Sequence, residues 1–266
     1  MKNSNRYVKI IESIFHKYFR EGSQEVSFKR EDIEKAARKL RIKLPKNLGD
    51  IVYSFRFRVP LPDSIKTRAP KGKQWILRQA GISNYRFVAV IETAINPNKM
   101  MAETKVPDST PGVIAMYAFN DEQALLAKLR YNRLIDIFTG VACYSLQNHL
   151  RTTVPKVGQI ETDEIYIGID RGGAHYVFPV QAKGAREKLG IVQIEQDVAL
   201  CAHKFPNLIC RPVAAQFMKD NLIALFAFEV DDSQVSISLE KHYRLVPPEE
   251  LTPTELATYR NRLPSE

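Results

Sequence analysis

Cysteine is scarce in this chain: Cys143, Cys201 and Cys210 are the three present, an odd number with no C-x-x-C pair among them. That removes a disulfide framework and a structural zinc site as organising devices, and it fits a reducing compartment, so the expected location is cytoplasmic. Long apolar runs are also missing. Nothing approaches the roughly 20 apolar residues that a membrane helix needs, so no membrane partner is expected. The first residues, MKNSNRYVKIIESIFHKYF, scatter charge where a secretory signal would hold an uninterrupted apolar stretch, so no signal peptide is expected.

What remains is an ordinary globular composition, 44% hydrophobic and 26% charged over 266 residues, enough for one large domain or two modest ones. The net charge of +9 is unevenly placed. Residues 1–70 hold 17 Lys/Arg against 8 Asp/Glu, and the other residues balance at 22 against 22. A positive field confined to one quarter of the chain attracts a polyanion and gives sequence-independent affinity by counterion release.

Val8 to Phe19 places Val8, Ile11, Ile14, Phe15, Tyr18 and Phe19 at helical spacing, and Ser27 to Leu40 gives a second helix with Ile33, Ala36, Ala37 and Leu40 inward. A basic link with Lys43, Lys46 and Asn47 follows, and the pair of helices with its tight link resembles a helix-turn-helix. Ile51 to Val59 alternates as a strand would, with Ile51, Tyr53, Phe55, Phe57 and Val59 inward and Arg56 and Arg58 outward, where they can grip phosphates or read guanine edges. Strands are expected around Trp75 to Leu77 and Phe87 to Glu92, and the whole amino-terminal order looks like a winged helix. Residues 96–112, dense in Pro, Asn, Ser and Thr, read as a linker, which divides the chain into domains 1–105 and 106–266.

In the second domain Val113 to Phe119 reads as a short strand and Glu122 to Phe138 as a helix, with Arg130 and Arg133 on its polar side, available to DNA. Gly140 to Leu150 reads as a further helix carrying His149. Gly158 to Gly184 then shows two runs rich in Ile, Tyr, Val and Phe around a Gly-Gly pair, the pattern of an antiparallel hairpin. A turn centred on Gly172 makes facing position numbers sum to 344, so Asp163 faces Gln181 and Glu161 faces Lys183. All four are odd-numbered and share one face. A carboxylate, an amide and a lysine ending an apolar face are costly unless they bind one another, an ion or a substrate. Ile191 to His203 is a helix whose stripe of Ile191, Glu195, Val198 and Ala202 brings Glu195 to the apolar side, and Leu208 onward returns to strands, the middle one, LIALFAFEV, apolar enough to be buried on both faces. Thr252-Pro-Thr-Glu-Leu caps a short final helix.

Asp163, a hairpin, then Gln181-Ala-Lys183, with Pro155 upstream, resembles the PD-(D/E)xK nuclease motif in its Gln-x-Lys form. The resemblance covers the hairpin closely and the rest in outline. It implies an α/β (α+β) fold with a restriction-endonuclease-like mixed central sheet flanked by helices, behind a winged-helix-like amino-terminal domain. It implies Mg²⁺ held by Asp163, the side-chain oxygen of Gln181 and the carbonyl of Ala182, with Lys183 positioning the attacking water. Gln in place of an acid removes one negative charge, and Glu161 and Glu195 are nominated to restore it, with Glu122 and Asp136 as the acids that the preceding helix offers. Gln193 on the following helix is placed toward DNA. The expected function is a type II restriction-like endonuclease on double-stranded DNA, working as a homodimer. Two alternatives stand beside it: a structure-selective repair or junction nuclease, and an inactive DNA-binding regulator. All three predict DNA binding by the basic amino-terminal module.

Overall fold

The computed structural model describes residues 4–57, 59–91, 95–117, 122–155, 157–185, 187, 189–231 and 234–262. They divide into two compact units, residues 1–93 with 153–160 and residues 94–152 with 161–266.

The first unit runs α1 (Ser4–Tyr18), β1 (Glu25–Lys29), α2 (Arg30–Leu40), α3 (Gly49–Phe57), α4 (Asp63–Lys66), β2 (Lys73–Gln79) and β3 (Asn84–Ile91). Its sheet is antiparallel in the order β1-β3-β2. The apolar stripe of α1 becomes core: Ile10, Ile11, Ile14 and Phe15 are buried with Ile33, Trp75, Leu77 and Phe87. The segment expected as a strand from Ile51 is instead α3. Ile51, Val52 and Phe55 are buried and Tyr53 is 42% exposed, a helical set in which Val52 and Tyr53 exchange the sides that alternation gave them. Asn47 starts the helix, its Oδ1 accepting the Gly49 N–H at 3.0 Å. The two strands expected around Trp75 and Phe87 are β2 and β3.

The second unit contains β4 (Glu103–Pro107), α5 (Gly112–Tyr117), α6 (Glu122–Tyr131), α7 (Leu134–Thr139), all but the end of β5 (Ala142–Val154), all but the start of β6 (Gly158–Ile169), β7 (His175–Lys183), α8 (Ile191–Lys204), β8 (Ile209–Cys210), β9 (Val213–Phe217), β10 (Leu222–Asp231), β11 (Gln234–Val246) and α9 (Pro253–Arg260). Among the described residues its mixed sheet follows β4-β11-β10-β9-β7-β6-β5, with β8 against β7. The class is therefore mixed α/β. Four expectations change. Residues 96–112 carry β4, paired in parallel with β11, so the stretch read as a linker holds a strand of the sheet. The strand expected over 113–119 is α5 as far as Tyr117, and Phe119 lies outside the described residues. The single helix expected over 122–138 breaks at Arg133, whose φ of 52° is left-handed. The helix expected over 140–150 is the long strand β5, because Gly140 at φ 68° ends α7 and the residues beyond it, mostly exposed and polar, form an edge strand with no helical stripe.

The β6–β7 hairpin keeps the expected register from Ile169 back to Glu164, but the ladder stops there, short of the expected Asp163–Gln181 and Glu161–Lys183 pairs. Glu164 faces Val180, Ile165 faces Pro179 and Ile169 faces His175. Its turn is held by Asp170, whose Oδ1 accepts the N–H groups of Gly172 at 2.8 Å and Ala174 at 2.9 Å, while Gly173 takes φ 83°, where a side chain is strained. Phe178, Val180 and Ala182 are buried with Leu125, Leu129 and Leu134 of α6 and α7. Full burial of a side chain such as Phe178 contributes about 2–3 kcal/mol. Strand alternation sends Gln181 to the opposite face, where it meets α8. One face of the sheet thus carries α6 and α7 and the other α8.

Candidate active site

The site begins where β6 and β7 part. Their ladder runs to the Glu164–Val180 pair, and β7 goes on pairing with β9 through Gln181–Ala214, Ala182–Ala215 and Lys183–Gln216. β6 also turns over at this point. Alternation from Ile165 would send Thr162 toward α6, but Thr162 donates to Asp197 of α8 at 2.5 Å. The Ala182 N–H, released from the ladder toward β6, donates to Asp163 Oδ2 at 2.8 Å. In a strand the N–H and C=O of one residue point the same way, so the Ala182 carbonyl is directed to this gap as well.

Asp163, 7% exposed, has Lys183 Nζ at 3.8 Å from its Oδ2, and Lys183 is itself 9% exposed. Glu122, at the amino-terminal end of α6, is hydrogen-bonded to Asp163. Burial, and next the Asp163 charge, push the Glu122 carboxyl up to about 7, so near neutrality it still holds a proton to share. Burial also pushes Asp163 up, opposed by Lys183, the Ala182 N–H, Glu122 and His149. His149 is itself unusual, a non-glycine residue at φ 47° within β5, with its Nε2 at 2.7 Å from Gln123 Nε2.

Gln181 is 1% exposed and turned to α8. Its Nε2 donates to Asp197 Oδ1 at 3.1 Å and Oδ2 at 2.9 Å, and its Oε1 accepts from Gln193 Nε2 at 3.3 Å. Asp197 is fully buried, which pushes its carboxyl up to about 7 against the pull of Thr162 and Gln181.

Of the residues nominated from sequence, Asp163, Ala182 and Lys183 meet directly, and Glu122 joins them. Glu161 does not. It is the partner of Arg151, whose Nη2 lies 2.9 Å from both of its oxygens. Glu195 is half-buried on α8, and the acid that reaches Gln181 is Asp197, because the buried residues of α8 are Ile191, Val192, Ile194, Gln196, Asp197, Leu200 and Cys201. Asp136 is structural, accepting the Cys143 N–H at 2.8 Å and pairing with Arg133. Arg130 is not free for DNA either: its Nε and Nη2 bind the fully buried Glu164 at 3.1 and 2.9 Å. Gln193 faces Gln181. Lys43 and Lys46 are exposed, Asn47 is engaged as the cap described, and Arg56 is half-buried on α3 beside Gln79, its pKa pulled down to about 10 by burial. Arg58 lies outside the described residues. The sequence signal for Asp197 was present in outline, since Asp197 lies three residues after Ile194 and three before Leu200, on the stripe those two apolar residues define.

Among the described residues no group of three or more His, Cys, Asp and Glu side chains is placed to hold a metal ion, and no helix is long and apolar enough to cross a membrane. No family model matches the chain, and neither the curated proteins nor the solved structures contain a match.

Proposed function

We propose that this protein is a divalent-metal-dependent endonuclease acting on double-stranded DNA, of the restriction-like PD-(D/E)xK kind with Gln-x-Lys in the second half of the motif. One observation carries the reading: two carboxyl groups, Glu122 and Asp163, are hydrogen-bonded to each other beside a buried lysine at the point where two strands separate and the freed Ala182 N–H reaches Asp163. The order of elements supports it, with a helix bringing an acid (α6), the hairpin β6–β7 with Asp163 and Gln181-Ala-Lys183, and a helix on the other face (α8).

The donors are all oxygen, namely Asp163, Glu122, the Ala182 carbonyl and Gln181 Oε1, and a hard cation such as Mg²⁺ suits that chemistry. Two carboxylates rather than three make it a lean site that a substrate phosphate would complete. Bound Mg²⁺ polarises a phosphoryl oxygen and lowers the pKa of water. The protein's own groups do the rest. The Lys183 ammonium donates to a non-bridging phosphate oxygen and stabilises the charge that builds up there. Glu122 would hold the ion as a carboxylate once its proton is lost, and Asp163 is kept aimed by the Ala182 N–H.

The first unit supports DNA recognition. Its order α1-β1-α2-α3-α4-β2-β3, with a β1-β3-β2 sheet, resembles that of a winged helix with one additional short helix, which supports the reading. The basic link through Lys43 and Lys46 leads into α3, the position of a recognition helix. Two active sites in a homodimer would cut both strands.

Incubation of plasmid and branched DNA with Mg²⁺ tests the reading. Discrete plasmid fragments are expected. Cleavage of branched DNA alone would turn the assignment to a junction nuclease, and binding without any cleavage would leave a regulator.

A further inference from the structure

The Gln at position 181 departs from the acidic residue more usual in the resembled motif, and its surroundings give a reason. Asp197 lies fully buried on α8, and its donors are neutral: the Thr162 hydroxyl at 2.5 Å and the Gln181 amide at 2.9 and 3.1 Å. Both Asp197 oxygens accept from the amide nitrogen of Gln181, so Asp197 draws the NH₂ end of the amide and leaves Oε1 turned away from it, toward Gln193. Among the described residues Oε1 accepts one hydrogen bond, a long one from Gln193 at 3.3 Å. A glutamate at 181 would set two carboxylates at hydrogen-bond distance inside the protein, which disfavours both charges.

We propose that Asp197 is the positioning residue of the site: it orients Gln181 so that Oε1 is the ligand atom, and it is the reason this position holds an amide. The carboxyl group absent from position 181 is kept one layer deeper, at Asp197. The ligand role of Gln181 rests on the nuclease reading above; the dependence of residue 181 on residue 197 does not.

The test is a cycle of Asp197→Asn, Gln181→Glu and the double variant, in which carboxylate and amide exchange places. Melting temperature is read at pH 7.5 without divalent ions, and Mn²⁺ affinity by calorimetry. Each single change should lower the melting temperature by about 5–10 °C, and the double variant should recover most of that loss. Asp197→Asn should weaken Mn²⁺ binding by about tenfold or more, with recovery in the double variant, as expected for a group that orients a ligand. Melting losses that simply add overturn the pairing, and unchanged Mn²⁺ affinity in Asp197→Asn overturns the positioning role. A wild-type protein that binds no Mn²⁺ overturns the nuclease reading instead, while the melting cycle still decides whether residue 197 dictates residue 181. If Gln181→Glu alone fails to fold, a folded double variant is the expected rescue, and a double variant that also fails overturns the proposal.

Discussion

Asp163 and Glu164 are neighbours on one strand, both buried, and the protein neutralises them in different ways. Glu164 receives two N–H groups of Arg130 and the Ser145 hydroxyl, which closes the account between charge and counter-charge. Asp163 receives one backbone N–H, an ammonium at 3.8 Å and a hydrogen bond from the Glu122 carboxyl. The first cluster matches one carboxylate with one guanidinium, all three bonds falling on Oε1 while the buried Oε2 has no hydrogen-bond partner among the described residues, and it reads as structure. The second has fewer full positive charges than carboxylates and depends on a proton, so a divalent cation can replace what the proton supplies.

The largest expected contrast is in rate. Lys183→Ala should slow single-turnover DNA cleavage by about 10³-fold with DNA binding retained, and Asp163→Asn should do the same, whereas Glu164→Gln, where it folds, should stay within about threefold of wild type. Stability should show the reverse. Glu164→Ala strands Arg130 and should cost about 3–5 kcal/mol in denaturant unfolding. Asp163→Asn should cost far less in metal-free protein, because it removes a charge that Glu122 resists. Equal losses at the two positions would erase the distinction.

A smaller effect tests the packing that supports both clusters. A Cβ on Gly168 would lie 2.7 Å from both Phe178 Cε2 and Val141 Cγ1, so Gly168→Ala should destabilise by about 1–3 kcal/mol, read as a shift in the denaturant midpoint. The smallest concerns pH. The Glu122 pKa is raised from 4.5 to about 7 in the folded protein, so its contribution to stability is full below the unfolded value and is lost as pH rises through about 7. Metal-free protein should therefore melt at lower temperature across that window. Glu122→Gln should reduce the slope without abolishing it, since Asp197 is raised in the same direction.

The hairpin was legible because β6 and β7 state their register locally, in a Gly-Gly turn between two apolar runs. Asp163, Ala182 and Lys183 came with it. The role of Glu161 did not survive because the register argument assumes an unbroken ladder, and β6 turns over between Glu164 and Thr162. Arg151 on the neighbouring strand, distant in any pattern of two, takes Glu161 instead. α3 was misread because IVYSF satisfies a period of two as well as a helical set, and only the core it packs against selects Ile51, Val52 and Phe55. β5 was misread because an edge strand exposed along most of its length has no apolar rhythm to display. Asp197 required knowing which side of α8 meets the sheet, and that is settled by tertiary contact.

Cation binding coupled to proton loss examines the central claim most directly. Titration of Mn²⁺ into the protein at pH 6, in buffers of different ionisation enthalpy, counts the protons released per ion bound. The proton of the Glu122–Asp163 hydrogen bond predicts release of about one proton per ion, abolished in Glu122→Gln and unaffected in Glu161→Gln. Binding without proton release, or release that persists in Glu122→Gln, would contradict it.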